Sequence, residues 1–376
     1  MKLLAQLKER LFQNKHTVQK ITSPLVRGFW QNLIDKKLLR GDSLTVIAPM
    51  ADVTDVAFRS LIAKYSNMGR DGGGPDVMWT EFVSANGLCS KGREVLKRDL
   101  EFSEKERPIV AQLFTSDPDN MRKAAELCRE LGFDGIDINM GCPDKGIEKQ
   151  GAGAAHIKDW RVAQKIILAA KEGAKDIPVS VKTRLGYNKI EFKEWLSKIL
   201  ECNIPVLTVH LRTRKEMSKV PAHWEVMPDI VKLVREITGE VKDGGTIILG
   251  NGDVLTKEEG KRRVEETKCD GVMIGKGIFG TPWLFDDAEY KRGKTTRERL
   301  HILIEHTKLF EKKLGDIKSF AIMKKHFKAY VHGFDGAKEL RIELMECENA
   351  DEVESKVVQF IEQNKDKIQD SPMVQL

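Results

Sequence analysis

The chain has no run of apolar residues as long as a membrane span, and its first residues show no signal-peptide core. A membrane-spanning or secreted protein is therefore not expected. Cysteine is sparse: Cys89, Cys128, Cys142, Cys202, Cys269 and Cys347 lie far apart, with no CxxC pair. That spacing argues against a metal site and a disulfide framework, and for a reducing, cytoplasmic setting. With 41% hydrophobic and 32% charged residues, the composition is that of a folded globular protein. A length of 376 residues has room for one large domain and one small one.

The net charge is +6, and it is unevenly spread. Met1 to Arg40 carries nine Lys/Arg against Glu9 and Asp35, and Lys291 to Tyr330 carries twelve against four acids. From Val331 onward the balance reverses, eleven acids against five bases. Two basic segments around a nearly neutral middle suggest a polyanionic partner, although either alone could be an ordinary solvated helix face.

Residues 1–40 space Leu3, Leu4, Leu7, Leu11 and Phe12 as a basic helical extension packed on the main domain. From Ser43, strand patterns alternate with helical ones. SLTVIAPM, PDVMWTEFV, PIVAQLF, IDINMG, VSVKTRL, VLTVHLR, TIILGNGD and DGVMIGKG read as eight buried strands. Helices are expected from Thr54 or Asp55, after Asp117-Pro118, and at Trp160 to Lys171, Phe192 to Cys202, Met227 to Ile237 and Lys257 to Glu266. Thr256 and Glu259 have the spacing of a capping box. Eight strand–helix units over this length predict an α/β fold, a (β/α)8 TIM barrel. A doubly wound sheet fits less well, because no GxGxxG follows the first strand. Beyond Phe285 only helical patterns remain, beginning with a Thr295–Glu298 capping box and continuing at Phe320 to Val331, Lys338 to Met345 and Asp351 to Gln363. The predicted organisation is a basic N-terminal extension over 1–40, a barrel over 41–290 and a helical domain over 291–376.

A barrel gathers its strand ends on one face. Those ends carry Met50, Glu81, Gln112, Asn139 with Cys142, Lys182 with Arg184, His210 with Arg212, Asn251 with Asp253, and Gly275. Each has an ordinary explanation by itself: His210 could be a core histidine, and Cys142 a small thiol packing a turn. A polar group at nearly every strand end is harder to ascribe to stability. Gly250-Asn251-Gly252-Asp253 and Gly275-Lys276-Gly277 have the form of a barrel phosphate site, and GIFGTPWLF could add a helix N-terminus to it.

APMADVTDVAFR, the Gln of VAQLF, DINMGCP with GAGAA, VKTRLGY, HLRTR, GNGDV and DGVMIGKGIFGTPWLF occur in that order from about Ile47 to Phe285. In this the chain resembles the flavin-dependent tRNA-dihydrouridine synthases, a family that also has a C-terminal helical domain. The resemblance implies FMN in the barrel mouth, NADPH or NADH as reductant, and a flipped-out tRNA uridine as substrate. Pro49, Met50 and Ala51 would line the flavin, with Gln112 and Lys182 at its polar edge. His210, Asn251, Gly252, Asp253, Gly275 and Lys276 would hold the rest of the cofactor and its phosphate. Cys142 would be the general acid for C5 of the uracil, opposite hydride arriving at C6. Asn139, Arg184 and Arg212 would face the substrate. Apart from the resemblance, Lys324, Lys325 and Lys328 stand at i, i+1 and i+4, which predicts that they crowd one side of a helix and meet the RNA backbone. Lys276 stands where the family usually has Arg, which keeps the charge but loses a bidentate fork. A monomer without a metal is expected. Two other classes stay open on sequence alone: an FMN barrel oxidoreductase of the dihydroorotate dehydrogenase kind, and a non-catalytic RNA-binding protein.

Overall fold

The computed structural model describes residues 25–365, so the helical reading of Leu3 to Phe12 lies outside the described residues. The eight strands form where the alternating apolar patterns lie: β1 Leu44–Ile47, β2 Met78–Ser84, β3 Ile109–Phe114, β4 Gly135–Asn139, β5 Val179–Arg184, β6 Val206–His210, β7 Ile247–Asn251 and β8 Gly271–Ile274. All are parallel, in the order β1-β8-β7-β6-β5-β4-β3-β2. Two backbone bonds, Asp76 N–H to Thr45 O at 2.9 Å and Ile47 N–H to Val77 O at 3.3 Å, join the two edges into a barrel. With helices outside and side chains inside, nearly every strand position is buried, which is why the strands read as Val/Ile/Leu runs.

Each helix start has a physical cause. Asp55, rather than Thr54, accepts from Phe58 N–H and caps the helix Val56–Tyr65. Asp117 caps Pro118–Glu130, with Pro118 at the first position where no N–H is needed. The Thr256 cap forms, but its box does not close: Glu259 reaches one residue further back and accepts from Leu255 N–H. Thr295 and Glu298 do close a capping box at the start of Thr296–Leu314.

The extension is more than a decoration. Helix Phe29–Lys36 inserts Trp30 and Ile34, each 1% exposed, under the barrel against Leu44, Val46, Val77 and Trp79. Burying two such side chains contributes roughly 1.5–3 kcal/mol each. Arg27 ties the same segment to the carbonyls of Val241 and Gly245.

The helical region packs Leu300, Leu303, Phe310, Phe327 and Tyr330 against Val56 and Ala57 of the first barrel helix. Helices Lys324–Tyr330, Ala337–Glu346 and Ala350–Gln363 complete it. The junction is also polar, since Lys64 and the Tyr65 hydroxyl both reach Glu305. Lys325 Nζ lies 3.8 Å from Asp52 in the loop after β1, so the helical region also reaches the rim of the barrel mouth.

Candidate active site

At the carboxyl ends of the strands lies a cavity of about 260 Å³ to which every strand or the turn after it contributes. Pro49 and Met50 come after β1, Phe82 from β2, Gln112 from β3, and Asn139, Gly141 and Cys142 from β4 and its turn. Lys182 and Arg184 come from β5, His210 and Arg212 from β6, Asn251, Gly252 and Asp253 from β7, and Gly275 and Lys276 after β8. Ala51 is exposed and does not line the cavity. Glu81 is also outside it and pairs with Lys318 of the helical region. The sequence reading missed Phe82, Ser218 and Met273, which also line the cavity; nothing in their local pattern separates them from packing residues.

Cys142 is positioned by its turn. Asn139 Oδ1 accepts from the N–H groups of Gly141 (3.1 Å) and Cys142 (2.9 Å), folding the chain back as it leaves the strand. The Cys142 carbonyl accepts from Ala154 N–H at 2.9 Å. Gly153 has φ +61°, and a Cβ there would meet that carbonyl at 2.8 Å, so this glycine is required by contact as well as by backbone shape. Burial raises the thiol pKa above its ordinary value, a rise moderated by the Asp144 backbone N–H, Arg184 and Lys182. The group is held as a thiol, able to give a proton.

The wall from β5 onward is cationic. Burial and then Arg184 bring Lys182 down to about 8, while Asp137 supports its charge. Its ammonium has no hydrogen-bond partner among the described residues. His210 is pushed well below the usual histidine range by burial and by Arg184, Lys182, Arg212 and Lys276 around it. Its Nε2 meets Arg212 Nη1 at 3.0 Å and so accepts, which places the ring proton on Nδ1.

The two arginines expected at the substrate are largely occupied. Arg184 donates to the carbonyls of Gly141 (2.6 Å), Thr213 (3.2 Å) and Met217 (2.9 Å), joining the turns after β4 and β6. Arg212 donates to Val220 O at 2.6 Å and pairs with Asp253. Arg214, passed over in the sequence, binds Glu148 and lies over the Tyr187 ring, tying three loops together. Both arginines line the cavity with most of their donors already engaged.

At β7 and β8 the amide N–H groups of Gly252, Asp253, Gly275 and Lys276 find no acceptor among the described residues. Gly275 has only Met50 Sδ (3.5 Å) and Ala48 Cβ (3.6 Å) near its missing Cβ, leaving the backbone open to the cavity. The helix expected in GIFGTPWLF is absent; only the three-residue turn Lys276–Ile278 forms, so any anion there relies on loop amides and Lys276. Four cations, open amides and apolar Met50, Phe82 and Met273 form a donor set suited to a flat aromatic ligand with an anionic tail. Among the described residues no His/Cys/Asp/Glu cluster could hold a metal ion.

Of the proposed RNA contacts, Lys324 and Lys328 share a shallow pocket with Lys338, Arg341 and Ile342. Lys325 points elsewhere, its Nζ lying 3.8 Å from Asp52 beside the barrel mouth. The three therefore do not crowd one side of the helix.

Residues 46–368 match the dihydrouridine synthase (Dus) family. The "Probable tRNA-dihydrouridine synthase 2" of Bacillus subtilis (strain 168) is 40% identical over 318 residues, covering 84% of this chain and 93% of that protein. The "Probable tRNA-dihydrouridine synthase" of Staphylococcus aureus (strain COL) is likewise 40% identical over 318 residues, covering 84% and 92%. Among solved structures, morphinone reductase in complex with tetrahydroNAD superposes with a TM-score of 0.43 at 12% identity, covering 64% of this chain and 84% of that one. That likeness is too loose to carry an argument.

Proposed function

The chain belongs to the dihydrouridine synthase family, and from that premise we propose that its barrel mouth binds FMN and reduces a uridine of tRNA. It is an oxidoreductase acting on a CH–CH bond, with NADPH or NADH proposed as the source of electrons. The observation that carries the reading is one cavity holding both a protonated thiol, Cys142, and the cationic, amide-rich wall of Lys182, His210, Gly252, Gly275 and Lys276. A flavin held by these residues would supply the hydride that saturates the uracil double bond.

This chain's own residues do the rest. Pro49 and Met50 would hold the flavin, with Lys182 supplying positive charge and the His210 Nδ1–H a hydrogen-bond donor. Lys276 and the open amides of Gly252, Asp253 and Gly275 would hold its phosphate. The Cys142 Sγ–H delivers its proton to C5, and the raised thiol pKa keeps that proton in place at neutral pH. Arg184 holds the Cys142 turn against the β6 loop, and Asn139 orients it. A base must leave its stack to enter the mouth, at a cost of a few kcal/mol. Phosphate contacts on the adjacent helical region, residues 291–376, offset that cost. Among the described residues no helix is long and apolar enough to cross a membrane. The proposed place of action on tRNA is the cytoplasm.

The test is to map dihydrouridine in RNA from cells with and without this gene, alongside the absorbance of the purified protein at about 450 nm. Loss of dihydrouridine from defined tRNA positions is the expected result. A colourless protein, or an unchanged dihydrouridine map, overturns the reading.

A further inference from the structure

Behind the cavity wall runs a chain of buried side chains with a fixed donor direction. Asp137, on β4, is 1% exposed and none of the proposed roles uses it. Its Oδ1 accepts from Ser180 Oγ–H at 2.6 Å and its Oδ2 from Gln112 Nε2–H at 2.6 Å. Gln112 Oε1 then accepts from Asn139 Nδ2–H at 3.0 Å. Asn139 Oδ1, the remaining end, accepts the N–H groups of Gly141 and Cys142.

We propose that Asp137 is a positioning residue that, through Gln112 and Asn139, sets the orientation of the turn presenting the Cys142 thiol. A carboxylate can only accept, so the Gln112 amide must turn its NH2 toward it. That leaves the Gln112 oxygen for the Asn139 NH2, and the Asn139 oxygen for the backbone of the turn. Reversing either amide would set NH2 against N–H, which a buried site does not tolerate. The Gln112 backbone is fixed too, its N–H donating to Thr80 Oγ1 at 3.1 Å. Burial raises the Asp137 pKa to about 6, while Ser180, Gln112 and Lys182 favour its charge, so near neutral pH it accepts as described.

The effect on turnover rests on the proposed function, but the effect on the turn does not, and two readouts separate them. Hydrogen–deuterium exchange is measured in the peptide holding the Gly141 and Cys142 amides, and dihydrouridine formation is measured on the same full-length protein. Asp137→Leu removes the acceptor, so exchange at the turn should rise about tenfold or more and turnover should fall by at least about tenfold. Asp137→Asn keeps an acceptor oxygen for Gln112 and should restore both to within about threefold of wild type. If the Leu variant does not fold, Gln112→Met cuts the same path nearer the thiol and should raise the same exchange. Wild-type exchange in the Leu and Met variants overturns the proposal, as does an Asn variant as impaired as Leu. Increased exchange in a protein that makes no dihydrouridine even as wild type would uphold the orienting role and count against the proposed function instead.

Discussion

Lys318, in the loop after helix Thr296–Leu314, places its ammonium 2.8 Å from Glu81 Oε2, midway along β2 and not at the strand end where the sequence reading put it. Asp99 closes the cluster at 2.9 Å. Burial pulls the Lys318 pKa down, but Glu81 and Asp99 more than offset it, so the lysine stays charged. Glu81 also accepts from the Asp52 N–H in the loop after β1, beside the cavity. One ion cluster thus joins the helical region to the rim of the mouth.

Removing one partner of a buried pair costs more than the pair contributes, because the other charge is left without compensation. Lys318→Met should therefore destabilise the full-length protein by about 3–5 kcal/mol in denaturant unfolding. It should also open the junction between barrel and helical region to limited proteolysis. A loss below about 1 kcal/mol would show that water replaces the lysine at no great cost.

Cys142→Ala should leave the fold intact, since the residue is only partly buried and its turn is held by backbone and Asn139 bonds. Dihydrouridine formation should fall by about 10²-fold or more, the usual worth of a positioned acid, while NADPH oxidation continues. The raised thiol pKa gives the pH dependence its sign: wild-type turnover should fall as alkaline pH removes the proton. Rates on RNA and rates of NADPH oxidation, measured across pH, check both points. Undiminished product from the Ala variant ends the assignment.

The eight strands and most helices were legible because a barrel strand buries both faces, which turns the fold's period into sequence pattern at β4 and β6 alike. The strand-end polar set was legible because the barrel brings those positions together. What stayed hidden depends on partners distant in sequence. Glu81 has the look of a mouth residue, but its partner is Lys318, more than two hundred positions away. Arg184 and Arg212 read as substrate-facing residues, and the carbonyls that take up several of their donors come from loops that the local pattern does not reveal. Asp137 reads as one more alternating strand residue, and only the Gln112–Asn139 geometry gives it a role. Trp30 and Ile34 sit in a stretch whose charge drew attention away from its apolar face.

Lys182→Met should weaken cofactor retention, followed by flavin fluorescence titration. For the wild type, affinity should decline as pH rises through about 8, where the free protein's Lys182 loses its charge. Binding a partner that favours the ammonium raises that pKa, so the decline should extend above 8 until the bound form also discharges. The Met variant should lose this slope. A well-folded Met variant with unchanged affinity and unchanged slope would make Lys182 an ordinary strand-end cation.

The basic surface of the helical region should carry most of the RNA affinity, because the mouth takes in only one nucleotide. Lys324, Lys328 and Lys338 line one shallow pocket, whereas Lys325 faces Asp52, so the first three are the better set to reverse. Lys324 also donates to Met345 O at 2.6 Å, and losing that contact at a helix end should cost only about 0.3–1 kcal/mol. Changing all three to Glu should weaken RNA binding and flatten its dependence on salt, by roughly 0.7–0.9 in log–log slope per lost phosphate contact. Flavin content should not change, since the cavity lies in the barrel. The rival view gives the grip to the basic N-terminal segment. A truncation testing it must begin near Leu25, because a start at Gly41 would remove Trp30 and Ile34 from under the barrel and unfold what it means to measure. Unchanged affinity in the triple variant, with a collapse in the chain starting at Leu25, would move RNA binding to the N-terminal segment.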